Sequence, residues 1–243
     1  MRHLTLSAFA AVAIAAAPVP ARSFDLPDVT YPRLVKEAAS PAGFVPRGWL
    51  LEKEFSGDLN RDGIADRVLL IRQNDPKNVI KHDALGENPF DSNPRILAVV
   101  FGRSSGAGYA LALENHTLIP RREIPAASDP LEDPGGIAIE RGALRIKLHH
   151  FMSAGGWSAW TVAYTFRHQN QRFELIGLDR SEMMRNSGEE REISINYSTG
   201  RMSITTTSME DDTKKRVRWR TLPSRPLLTV DRIGNGLEFN PEK

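Results

Sequence analysis

Cysteine is missing from all 243 residues. Disulfide staples, zinc-thiolate sites and a thiol nucleophile are therefore excluded. An excess of one charge is missing too. Lys and Arg number 32 and Asp and Glu 30, a formal net charge of +2. Without a strong basic field, no nucleic acid partner is expected. No segment recurs with a period of 20–50 residues, which argues against a regular solenoid or propeller. There is no HExxH. Gly102–Gly108 is followed by no Lys-Ser/Thr, so it is not a phosphate-binding loop. Beyond the N-terminus no apolar run approaches the ~20 residues that cross a bilayer, so no membrane span is expected.

What is present is ordinary for a globular chain, 40% hydrophobic and 26% charged. The N-terminus carries Arg2, an apolar run from Leu4 to Ala17, then Pro18 and Pro20. Val19 and Ala21 occupy the −3 and −1 places of a cleavage site. This pattern predicts a secretory signal peptide over residues 1–21 and a periplasmic or secreted protein. With no cysteine at the cut, a lipid anchor there is not expected. An exported chain without disulfides must rest on its core, on bound metal, or on both.

Residues 22–46 form a Pro-rich segment, and Tyr31–Ser40 reads as one short helix with Pro32 in its first turn. Residues 47–243 read as a single all-β domain. Apolar or alternating runs predict strands near 48–55, 66–73, 95–102, 109–118, 136–141, 143–152, 157–168, 172–180, 190–197, 201–208 and 215–221. Val68–Ile71 and Ile96–Phe101 are apolar on both faces, so their strands should be central. Short Gly- and Asn-containing turns favour an antiparallel meander, built as a sandwich or as open propeller-like sheets.

The most informative stretch is Gly57-Asp58-Leu59-Asn60-Arg61-Asp62-Gly63-Ile64-Ala65-Asp66. Counting from Asp58, oxygen-bearing side chains fall at positions 1, 3, 5 and 9, with glycine at 6. Calcium takes 6–8 oxygens at about 2.3–2.6 Å, and alternate residues of a tight loop can turn theirs inward. Asp58, Asn60 and Asp62 would supply side-chain oxygens, Ile64 its backbone carbonyl, and Asp66 would close the set. The side chain of Ile64 is then expected to point into the core. An EF-hand would need Glu at position 12, where this chain has Leu69 inside a strand. With strands on both sides, the segment instead resembles the DxDxDG loops of the FG-GAP and VCBS class. That resemblance implies calcium bound by positions 1, 3, 5, 7 and 9.

From about Phe44 to Thr207 the chain also resembles a family of exported bacterial proteins of uncharacterised function. They carry one such loop and a late segment like Ile193–Gly200. The likeness implies location and architecture but no reaction. Physically, Asp58, Asp62 and Asp66 held close together repel, and a divalent cation removes that repulsion. Exported modules often bind calcium at about 10⁻⁴–10⁻³ M. Tenfold excess over that stabilises by only ~1.4 kcal/mol, so calcium is expected to rigidify rather than switch.

In a simple meander the loops sort to two ends. The Asp58–Asp66 loop, the Ser104–Gly108 turn and the His168–Gln171 turn share one. Asn74–Pro94, Pro120–Gly135 and Ser153–Gly156 share the other, a polar rim beside Trp157 suited to a sugar or peptide. Trp157 and Trp160 are three apart on a strand and face opposite ways, Trp160 toward the core. Alternation likewise puts His150 on the core face and His149 on a polar face with Arg145 and Lys147. Lys214–Arg216, Arg218 and Arg220 read as an edge strand protected by charge. The candidate ligand-binding residues are Trp157, Glu132, Asp133 and His149. The function expected is that of a non-enzymatic calcium-binding module, engaging a cell-envelope glycan or envelope protein. The alternative is an exported hydrolase using Glu132 and Asp133 near His149.

Overall fold

A computed structural model describes residues 25–104, 106, 108–208 and 211–242. The expected signal peptide, 1–21, lies outside the described residues. The strands are β1 (Glu37–Ala38), β2 (Trp49–Gly57), β3 (Asp66–Gln73), β4 (Val79–Ile80), β5 (Phe90–Asp91), β6 (Arg95–Gly102) and β7 (Tyr109–Asn115). After them come β8 (Gly136–Glu140), β9 (Ala143–His150), β10 (Ser158–Gln169), β11 (Arg172–Met184), β12 (Glu189–Asn196), β13 (Arg201–Ser208) and β14 (Asp211–Thr221). All pairings are antiparallel. One sheet has the order β1-β7-β6-β3-β2, and β8 to β14 form a seven-stranded meander in chain order.

The two sheets pack face to face. Val68, Leu70, Leu97 and Val99 of the smaller sheet share one buried cluster with Leu144, Ile146, Leu148, Val162, Tyr164 and Phe166 of the larger. The opposite face of the smaller sheet carries Leu69, Ile71, Ile96, Ala98 and Val100, covered by Leu34, Phe44 and Trp49. This explains why β3 and β6 are apolar on both faces. They form the middle layer between the large sheet and the N-terminal segment. Each fully buried aliphatic or aromatic side chain contributes roughly 1.5–3 kcal/mol.

The N-terminal segment departs from expectation. Residues 31–40 are not helical, and within them only Glu37–Ala38 is strand. Glu37 and Ala38 pair with Ala110 and Tyr109, and the Lys36 carbonyl accepts from Leu111 N at 2.8 Å. A ten-residue helix is marginal by itself. The open edge of β7 instead offers a ladder, and the outer sheet face offers burial to Leu34. The only helical turn in this segment is the 3-10 turn Pro41–Phe44, which buries Phe44.

Bulges re-aim individual side chains. Between Leu51 and Lys53 of β2 the register shifts, so Glu52 is the extra residue. In β11 the shift falls opposite Thr165/Phe166 and leaves Ile176 extra. At the far edge of the large sheet, residues 215–221 of β14 are exposed, as a charge-protected edge should be.

The loops sort as the meander requires. Gly102 N donates to Asp66 Oδ1, and the Phe101 and His168 rings lie 4.8 Å apart, so the β2–β3 loop and the β10–β11 turn share one end. At the other end Glu87 N donates to the Pro125 carbonyl and Ser153 N to that of Ala126. Arg121 donates to the Ser92 and Pro27 carbonyls and to Asn78 Oδ1, binding the long loops together. No helix among the described residues is long and apolar enough to cross a membrane.

Candidate functional site

The β2–β3 connection must reverse the chain between Gly57 and Asp66. It does so by winding its polar side chains back onto its own backbone. Asp58 Oδ1 accepts from Arg61 N at 2.6 Å and Oδ2 from Gly63 N at 3.0 Å. Asn60 Oδ1 accepts from Asp62 N, and Asp62 Oδ1 from Ile64 N at 2.8 Å. Short Asp and Asn side chains favour such turns because they reach the N–H two or three residues on. Gly63 takes φ +82°, a left-handed conformation that glycine adopts without steric penalty.

Asp66 closes the loop from below. It is fully buried and accepts from Leu59 N at 2.8 Å, Asn60 N at 3.3 Å and Gly102 N at 3.1 Å. Burial pushes its carboxyl above the usual range. The three backbone N–H groups act the other way, and the Asp62 charge adds to the rise.

The donor set is made of hard oxygens: three carboxylates, the Asn60 amide and the Ile64 carbonyl. Each carboxylate oxygen can accept more than one partner, so hydrogen bonding to the loop leaves capacity for a cation. The chemistry of these donors fits a hard divalent ion. Among the described residues no three His, Asp or Glu side chains form a closely gathered metal cluster. Asp58, Asp62 and Asp66 are therefore not gathered on one centre in this structure, and each carboxylate is turned to backbone N–H groups instead. One expectation is corrected. Ile64 is only half-buried, and the fully buried apolar side chain of the loop is Leu59. Ile64 Cγ2 lies over Gly102, 2.7 Å from where a Cβ would stand, so it packs on the end of β6.

The second candidate group is only partly assembled. His149 N donates to the Pro130 carbonyl at 2.8 Å, which brings the Glu132 loop to β9. Burial lowers the His149 pKa, Glu132 and Asp133 pull it upward, and Lys147 lowers it further. Its Nδ1 is buried without a partner. Trp157 is 65% exposed, so it is the outward-facing tryptophan. It stands four residues before Thr161, the partner of His149 across the ladder. That is about 13 Å along the chain direction, so the two side chains are not immediate neighbours. Trp160 stacks on His150 at 3.7 Å, with the Arg180 guanidinium 5.3 Å from its ring.

A charged constellation that sequence reasoning missed lies beside Glu132. The Arg95 guanidinium is 11% exposed and sits between two carboxylates. It donates to Glu52 at 2.6 and 2.7 Å and to Asp129 at 2.9 and 2.8 Å. These residues line a cavity of about 360 Å³ with Glu132 and Arg122. The one available signal was a charged residue opening the apolar run Ile96–Phe101. Its partners come from a bulge and a distant loop.

Fold and loop together define a class: an antiparallel β protein of two packed sheets and a small β4–β5 ribbon, whose β2–β3 connection is wrapped by Asp and Asn oxygens. No family model, no curated protein and no solved structure matches the chain.

Proposed function

We propose that this chain is an exported, calcium-stabilised β module of the FG-GAP/VCBS type that binds a cell-envelope glycan or envelope protein. The observation that carries the reading is the spacing of Asp58, Asn60, Asp62 and Asp66 along one loop between two strands, with their side chains folded onto the loop backbone. The ion would offset the repulsion of three carboxylates and pin the end of the sandwich where the β2–β3 loop meets the β8–β9 turn. Gly142 lies against Arg61 and the Asp58 carbonyl there. The hydrolase alternative draws on the proximity of Glu132 and Asp133 to His149. It is the weaker reading, because Trp157 stands apart from that group.

The test is thermal unfolding of the purified protein with calcium and with chelator. At tenfold excess over the dissociation constant the gain is ~1.4 kcal/mol, or about 3–5 °C for a domain of this size. Asp62→Ala should abolish that difference. Superimposable melting curves with calcium and with chelator would remove calcium from the reading.

A further inference from the structure

After β14 the chain turns back over the end of the large sheet. Leu222 N donates to the Gly200 carbonyl at 2.7 Å, and the Leu228 carbonyl accepts from Leu175 N at 2.8 Å. Between these two anchors the strap contains Pro223 and Pro226, which have no N–H to give a ladder. The strap stands off the sheet and encloses a cavity of about 390 Å³. Small-molecule sites fall in the range of roughly 300–1,000 Å³. Leu175, Leu222 and Leu228 supply apolar wall, and Arg225 is the only charged residue in the lining.

The floor is held in place by a bulge. Ile176, the extra residue of β11, uses its carbonyl to accept Tyr197 N at 3.0 Å, which fixes Tyr197 at the cavity. The Tyr197 hydroxyl is buried and has no hydrogen-bond partner. Burial pushes its pKa up to about 12, with Arg225 acting in the opposite direction. At neutral pH the phenol is therefore a proton donor close to a guanidinium. A buried donor without a partner is unfavourable; the hydroxyl is shielded from water, so a ligand oxygen relieves it when the ring turns toward the cavity.

We propose that this cavity binds a small carboxylate with an apolar body. The Arg225 guanidinium and the Tyr197 hydroxyl both donate to its oxygens, and the leucines receive its body. Guanidinium and phenol O–H offer donors and positive charge, the pattern a carboxylate completes. A cation would meet Arg225 unfavourably, and a neutral alcohol would forgo the charge-assisted bond. None of the residues lining the cavity belongs to the β2–β3 loop.

The test titrates the full chain with sodium octanoate, followed by amide NMR shifts and calorimetry, with octan-1-ol and octylamine as comparisons. Octanoate should saturate, move the signals of Tyr197, Gly200 and Leu228, and bind at least about tenfold tighter than either comparison. Arg225 is exposed, so Arg225→Gln should keep the fold by circular dichroism and lose about tenfold in affinity. Tyr197→Phe should weaken binding several-fold. Replacing calcium with chelator should leave octanoate affinity within about twofold, which separates this site from the calcium reading. Failure of octanoate to saturate by about 10 mM would overturn the proposal. So would equal affinity for octanol, or an undiminished affinity in Arg225→Gln.

Discussion

Asp66→Ala in the absence of metal probes the loop most directly. The carboxylate is fully buried and receives three backbone N–H groups, from Leu59, Asn60 and Gly102, at 2.8, 3.3 and 3.1 Å. Removing it leaves all three without that acceptor, Leu59 N in a fully buried place and the other two part-buried. An orphaned buried donor costs about 1–3 kcal/mol, and the longest of the three bonds contributes least. Relief of a buried charge beside Asp62 offsets part of the loss. The expected net loss is about 2–5 kcal/mol, against a total stability on the order of 5–15 kcal/mol. Asp66→Asn keeps the shape and one acceptor but turns an NH2 toward another N–H, so its loss should be about 1–2 kcal/mol. Asp62 is exposed, and Asp62→Ala should lose less than about 1 kcal/mol under the same conditions. Urea unfolding in chelator, with the slope checked for constancy, measures all three. A loss below about 1 kcal/mol for Asp66→Ala would refute the idea that this carboxylate staples the loop to β6. The ranking also separates two roles: Asp66 supports the fold without metal, whereas the benefit of Asp62 should emerge only when calcium is added.

Three further outcomes follow from the packing. Gly102→Ala would place a methyl 2.7 Å from Ile64 Cγ2 and 2.8 Å from the Ala65 carbonyl, so it should destabilise by about 1–3 kcal/mol in urea. Trp157→Ala should change stability by no more than about 0.5 kcal/mol, whereas Trp49→Ala, 8% exposed beneath the smaller sheet, should lose about 3–5 kcal/mol. Burial would raise the carboxyls of Asp91 and Asp129, but hydrogen bonds outweigh it and hold both below the usual range. Asn93 and then Arg72 act on Asp91, and Arg95 acts on Asp129. Their stabilisation is full above the unfolded value near pH 4 and is lost as pH falls through the lower folded values. Pepsin should therefore nick the 81–90 and 122–128 loops at about pH 3 before the β signal in circular dichroism is lost. Simultaneous loss of both would contradict this.

Much of the architecture was readable from local pattern. Strands at 66–73, 95–102 and 201–208 have their expected bounds, because a period of two with turn residues at each end is a local property. The two-sided burial of β3 and β6 was likewise carried by unbroken apolar runs. The wrapped loop was visible because Asp, Asn and Gly at that spacing act within ten residues of chain. Residues 31–40 read as a helix by local propensity, yet a sheet edge some seventy positions away drew Glu37–Ala38 into a short strand and left the rest irregular. Glu52 gave no sign of its role until a bulge turned it toward Arg95, whose second partner, Asp129, is 34 residues further on. Tyr197 and Arg225 look unremarkable in sequence, and only the return of the chain over β12 and β13 encloses them around one cavity. Periodicity and turn chemistry are written in neighbouring residues. Which edge is left open, where a bulge falls and what a strap covers depend on contacts between segments distant in the chain, and those exist only once the two sheets have packed.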